Sequence, residues 1–229
     1  MRRHLPNTLT MCRAVLAAAF FVVLNNYRYG AGPSSALIAA FVIFIVAALT
    51  DWADGYLARR WKAESAFGRI MDPFCDKLLV LGALIYLAGP RFVDPSSLDS
   101  EGHFWGVLPN NMITGVYPWM VAAVLARELL VTSIRGELEG RGAKFGAKMV
   151  GKLKATLQMV VIPTVIAIVW LDPRAEGFGW TVYVRDVIVY ATVLVSVASG
   201  LPYITAARKT MVELPPPSPN STNSNDMTE

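Results

Sequence analysis

Four aspartates stand close together in an otherwise apolar chain. Residues 51–77 read DWADGYLARRWKAESAFGRIMDPFCDK, with long apolar runs on both sides. Asp51 and Asp54 are three apart, and Asp72 and Asp76 are four apart. On helices turning about 100° per residue, each pair shares one face. The short basic link between them turns the chain back, which predicts antiparallel neighbouring helices with the carboxylates facing each other at one end. Four like charges at that distance repel by several kcal/mol in a partly desolvated site. A cation is therefore expected among them. Hard divalent ions prefer clustered carboxylate oxygens, and Mg²⁺ combines a few of these with the oxygens of a substrate phosphate. Two Mg²⁺ or Mn²⁺ ions would neutralise the four charges and leave positions open for a diphosphate. Gly55, Ala58, Ala66 and Gly68 are small enough to let a bulky ligand approach the helix backbones, and Arg59 is placed to meet a phosphate or a base.

Each aspartate taken singly has a structural reading. Asp72 precedes Pro73 and could cap a helix with proline at its first position. Asp51 and Asp54 could pair with Arg59 and Arg60. Four together beside apolar helices are another matter, because ionisable groups at membrane depth are costly and usually functional.

The surrounding elements support that depth. The chain has 229 residues, 54% hydrophobic and 17% charged, with a mean hydropathy of +0.43, too apolar for an ordinary soluble domain. Six apolar segments, 9–24, 36–58, 74–88, 116–134, 153–171 and 182–204, are each near the ~20 residues that cross a bilayer as a helix. The first, after MRRHLP, has the basic start and apolar core of a signal peptide, but no small-residue cleavage site follows. The expected fold is an all-α integral membrane protein of six transmembrane helices with both termini cytoplasmic. In that arrangement 17 of the 21 lysines and arginines lie at the inner ends, against Arg28, Arg91, Arg174 and Arg185 outside, as the positive-inside rule requires. The net charge of +4 then reflects topology and anionic headgroups, and no nucleic-acid partner is expected. Residues 1–212 form one membrane domain. Residues 213–229, rich in Pro, Ser and Asn, form a disordered cytoplasmic tail. The external connection around 90–115 is expected as a surface loop with Phe104 and Trp105 at the interface. Cys12 and Cys75 fall in predicted helices, so no disulfide is expected, and His4 and His103 make a histidine metal site improbable.

Asp51, Asp54, Gly55, Ala58, Arg59, Gly68, Asp72 and Asp76 fit D-x2-D-G-x2-A-R-x8-G-x3-D-x3-D without a gap. By this motif the chain resembles the CDP-alcohol phosphotransferases. The resemblance implies a six-helix membrane enzyme that moves a phosphatidyl group from a CDP-linked lipid to an alcohol and releases CMP. It implies that Asp51, Asp54 and Asp72 hold the metals, and that Asp76, also near a metal, acts as the base. Direct displacement is expected, since no nucleophilic Ser or Cys sits beside a base. Cys75 should point about 100° away from Asp76 and serve packing. Asn7, Thr10 and Arg13 recur at spacing three near the start, like the N-x2-T-x2-R stripe of many of these enzymes. That likeness implies contacts to the cytidine diphosphate part, with Ser65 and the small residues Gly55, Ala58 and Gly68 beside it.

Arg127, Arg135, Lys152 and Lys154 approach the depth of the aspartates and would suit an acceptor that itself carries a phosphate. The segments RELLVTSIR and GKLKATLQ resemble the branch of the family that uses glycerol 3-phosphate, whose usual pattern is G-K-x-K-T-x2-Q. Here Ala155 replaces the threonine and Thr156 follows. The expected reaction is phosphatidyl transfer from CDP-diacylglycerol to glycerol 3-phosphate on the cytoplasmic face of the inner membrane. Inositol phosphate, serine and phosphatidylglycerol are rival acceptors. A homodimer is admitted rather than required. A cation transporter would need acidic residues through the membrane's depth or in repeated halves, and the aspartates gather at one end of a chain without a repeat.

Overall fold

A computed structural model describes residues 5–30, 35–61, 66–94, 112–140, 149–171 and 179–213. The described residues form seven α-helices: α1 (Leu5–Asn25), α2 (Ser35–Trp61), α3 (Ala66–Leu87), α4 (Pro118–Gly140), α5 (Met149–Trp170), α6 (Gly179–Ala198) and α7 (Leu201–Glu213), with a 3-10 turn at Pro90–Phe92. Among the described residues there is no β-strand, only an isolated bridge between Val93 and Met112. The all-α expectation holds.

Two boundaries differ from the sequence reading. The helix of Asp72 and Asp76 begins at Ala66, well before the apolar run at 74. Asp72 is therefore inside α3 rather than its cap, and Pro73 sits in the helix, where it cannot donate to the carbonyl four residues back. The sixth apolar run is not one helix. It stops at Ala198 and resumes at Leu201, because Ser199 Oγ donates to the Ser196 carbonyl at 2.6 Å and Gly200 N closes a tighter turn onto Val197 O at 2.9 Å. Pro202 then occupies the first turn of α7, where its missing N–H costs nothing. The helix runs to Glu213, and residues 214–229 of the expected tail lie outside the described residues.

α1 packs against both α2 and α3, α5 joins α2, α3 and α6, and α4 rests on α3, α6 and α7. The interior is a single apolar cluster that includes Phe20, Leu24, Phe44, Leu79, Ala83, Met120, Val124, Ile162 and Val165. The outside is apolar too: Val15, Val22, Leu49, Val187 and Leu194 are each more than half exposed. The run Gly179–Arg208 is long and apolar enough to cross a membrane, and Met11–Asn25, Ser35–Asp51, Lys77–Leu87 and Lys154–Trp170 are shorter apolar helical runs.

At the end remote from the aspartates, chain reversals are held by side chains. Arg185, buried in α6, donates from NH1 to the Ile113 carbonyl at 2.5 Å and pairs with Asp186. Thr114 Oγ1 donates to Leu87 O at 2.8 Å, and Arg91 donates to the carbonyls of Asn25 and Tyr27. Two of the four arginines expected outside are thus structural. Residues 112–117 are buried rather than a surface loop, with the Ile113 carbonyl accepting from Arg185 and the Met112 carbonyl from Gly115 N. Phe104 and Trp105 lie outside the described residues.

The seating of α1 depends on Gly82 of α3. A Cβ there would collide with the ring of Phe21, which stacks on Tyr86 with centroids 5.2 Å apart. Gly82→Leu is expected to cost about 1–3 kcal/mol through overpacking, seen as a lower thermal midpoint in detergent. Phe21→Ala in the same background should recover part of the loss. An unchanged midpoint would show that α1 does not need this close approach.

Candidate active site

The N-terminal stripe and the first aspartate meet in space. Arg13 of α1, only 2% exposed, reaches Asp51 of α2 through NH1 to Oδ1 at 2.8 Å. The Asp51 side chain is 40% exposed, so its Oδ2 stays open to a cation. Burying a guanidinium is tolerated only with a partner of opposite charge; here the pair ties α1 to the end of α2 that carries Asp54, Gly55, Ala58 and Arg59. Asn7 and Thr10 lie on the same helix as Arg13, about two turns and one turn before it respectively, and their side chains fall outside the described residues. The same holds for the side chains of Asp54, Gly55, Ala58 and Arg59 in α2 and of Gly68, Asp72 and Asp76 in α3; Ser65 lies outside altogether. What the structure places is their helices and register. Cys75, one residue before Asp76, is fully buried as a packing residue, and both cysteines are free.

A second cluster joins α3, α4 and α5 next to Asp76. Glu128 of α4, 8% exposed, receives Arg127 NH1 on Oε1 at 2.8 Å and Lys154 of α5 on the same oxygen. Its carbonyl accepts from Thr132 Oγ1 at 2.7 Å, and that hydroxyl accepts from Lys77 Nζ of α3 at 2.6 Å. Lys77 directly follows Asp76. Of the four cations expected around an acceptor phosphate, Arg127 and Lys154 therefore converge, on a single carboxylate. Arg135, two turns beyond Arg127, is exposed. Lys152 is in α5 with its side chain outside the described residues.

Lys77 has no site role in the sequence reading, where it counts only among the charges at the inner ends. Gln158 enters there only as the last residue of the G-K-x-K-T-x2-Q pattern, and Glu128 only as the partner of Arg127 in an internal ion pair, which the structure contains. Gln158 lies on α5 one turn after Lys154, 4% exposed, with its Nε2 meeting no partner among the described residues. Lys77, Glu128, Lys154, Ala155 and Gln158 line a cavity of ≈ 30 Å³ together with apolar residues of α3 and α5. Where the glycerol-phosphate pattern has a threonine, Ala155 contributes no hydroxyl to this wall, and Thr156 is exposed.

The arrangement offers the buried Arg13 paired with Asp51, the motif's other aspartates within α2 and α3, and Lys77, Arg127 and Lys154 gathered around Glu128 and Thr132. A model of the CDP-alcohol phosphatidyltransferase family matches residues 3–198, α1 through the end of α6. The chain belongs to this family. Proteins named CDP-diacylglycerol–glycerol-3-phosphate 3-phosphatidyltransferase from Shigella flexneri serotype 5b and Escherichia coli K12 are each 31% identical over 216 residues, covering 93% of this chain and 100% of the relative. The protein of that name from Salmonella typhimurium LT2 is 30% identical over the same span. CDP-alcohol phosphatidyltransferases are generally dependent on divalent metal. The donors here fit such an ion: carboxylate oxygen throughout, with Asp51 holding one oxygen on Arg13 and the other open, and no nitrogen or thiolate ligand in the motif.

Proposed function

We propose that the chain transfers the phosphatidyl group of CDP-diacylglycerol to glycerol 3-phosphate, forming phosphatidylglycerophosphate and CMP, as a multi-pass protein of the bacterial inner membrane. Family membership and the names of relatives matched over their whole length support the chemistry. The observation that carries the acceptor is the convergence of Arg127 and Lys154 on Glu128 with Lys77 lining the same cavity. Cations gathered in this way suit an acceptor that carries a phosphate, which serine does not.

Six spans with both termini in the cytoplasm accord with the apolar outer faces of the helices and with the positions of the arginines and lysines. CDP-diacylglycerol would present its cytidine diphosphate to Asn7, Thr10, Arg13, Arg59 and Ser65 at the cytoplasmic end, with Gly55, Ala58 and Gly68 giving room. Two Mg²⁺ or Mn²⁺ ions held by Asp51, Asp54, Asp72 and Asp76 would supply charge neutralisation for the diphosphate and the leaving CMP. Asp76 takes the proton of the acceptor hydroxyl as its oxygen attacks the phosphorus that bears the diacylglycerol. The bond from that phosphorus to the bridging oxygen breaks, and the electron pair leaves with CMP. Arg127, Arg135, Lys152 and Lys154 would hold the acceptor phosphate, Arg127 and Lys154 from their seat on Glu128.

Purified protein given CDP-diacylglycerol, Mg²⁺ or Mn²⁺, and each acceptor in turn tests this by CMP release. Glycerol 3-phosphate is expected to support release; if it does not while another alcohol does, the acceptor is wrong, and if no alcohol does, the transferase reading falls. Lys154→Met is expected to raise KM for glycerol 3-phosphate about tenfold or more, with KM for the CDP-lipid changed little, as loss of one charge-assisted contact predicts. An equal rise in both constants would remove Lys154 from the acceptor site.

A further inference from the structure

The ≈ 30 Å³ cavity between α3, α4 and α5 has room for about one hydroxyl-sized group. Its polar wall is specific. Gln158 presents an amide Nε2 donor that is buried and meets no hydrogen-bond partner among the described residues. Glu128, another lining residue, carries its two cation contacts among the described residues on Oε1, so Oε2 remains as an acceptor. A buried amide donor left unmatched is costly, and a group that satisfies both walls must accept one hydrogen bond and donate another. Water and an alcohol do so; a phosphate oxygen, which only accepts, does not. Lys77 of α3, which follows Asp76 in sequence, lines the same cavity.

We propose that Gln158 and Glu128 are specificity-determining residues that bind the second hydroxyl of the acceptor, the one that is not phosphatidylated. This rests on glycerol 3-phosphate as acceptor: the less hindered primary hydroxyl attacks, the phosphate lies on the cationic side, and the secondary hydroxyl enters the cavity. It accepts from Gln158 Nε2 and donates to Glu128 Oε2. The pair thereby selects acceptors with a hydroxyl next to the reacting carbon and disfavours monohydroxy phosphates. No bond is made or broken at this hydroxyl.

The test uses the full chain in detergent, with CDP-diacylglycerol and either glycerol 3-phosphate or 3-hydroxypropyl phosphate, which lacks only the secondary hydroxyl. The unaltered protein should favour glycerol 3-phosphate by about ten- to a hundredfold in kcat/KM, the range set by one buried hydrogen-bonding group. Gln158→Met, close in shape and apolar, should lower kcat/KM for glycerol 3-phosphate about tenfold or more and for 3-hydroxypropyl phosphate less than twofold. The ratio between acceptors does not depend on the fraction of protein that is folded. Equal use of both acceptors by the unaltered protein would overturn the proposal and leave the cavity to water. A parallel loss on both acceptors in Gln158→Met would overturn it as well, since that is the mark of a structural role. Absence of CMP release from glycerol 3-phosphate in the unaltered protein would overturn the acceptor reading itself, a result distinct from release without discrimination.

Discussion

Asp76→Asn is expected to lower turnover by about 10³-fold or more, because general-base catalysis alone contributes about 10²–10⁴-fold and the same carboxylate is proposed as a metal ligand. The change keeps the shape and most of the hydrogen-bonding capacity while removing the basic oxygen. Binding of CDP-diacylglycerol, measured by protection against thermal unfolding, should persist, since Arg13, Asp51 and Asp54 remain. Activity within a few fold of the unaltered protein would exclude Asp76 as the base. Loss of binding together with activity would assign it to metal retention instead. Neighbouring Cys75 serves as a control: it is fully buried, and Cys75→Ala should affect stability far more than the response to acceptor.

Glu128→Gln should be the most destabilising conservative change in the acceptor region. The carboxylate is 8% exposed and is shared by Arg127 and Lys154, so neutralising it removes the charge on which both cations converge. Breaking a buried pair in this way costs about 3–5 kcal/mol, read as a fall in the thermal midpoint in detergent. Lys154→Met added to Glu128→Gln should recover a measurable part, because contacting residues are not additive and coupling of about 0.5–3 kcal/mol is usual. Additive losses would show that Lys154 and Glu128 do not interact in the folded protein. Glycerol 3-phosphate should stabilise Glu128→Gln more than it stabilises the unaltered protein, since its phosphate replaces the lost negative charge.

Much of this site can be read along the chain because its parts are local. Asp51 with Asp54, and Asp72 with Asp76, share faces by the helical period alone, and both pairs do fall within helices. Asn7, Thr10 and Arg13 form a stripe for the same reason, and all three lie in α1. Element ends are less legible. The start of α3 at Ala66 was hidden by Gly68, Arg69 and Asp72, which interrupt the apolar run, and by Pro73, which usually marks a helix start. The break at Ser199 and Gly200 lies inside a run apolar enough to look continuous, and local hydrogen bonds made by Ser199 and Gly200 decide it.

Sequence alone determined the family, the all-α class, the acidic motif with its register and the cationic character of the region from Arg127 to Lys154. Each is a property of residue types at fixed short spacing, which helical geometry turns into position. Tertiary structure decided which of those groups meet. That Arg13 seats on Asp51, that Arg127 and Lys154 converge on one oxygen of Glu128, and that Gln158 lines a small cavity with Glu128 and Lys154 all depend on how apolar helix faces pack. Packing is set by the fit of whole surfaces brought from distant parts of the chain, so it is the tertiary structure that brings Glu128 and Gln158, known in sequence only as members of two separate motifs, to line one cavity.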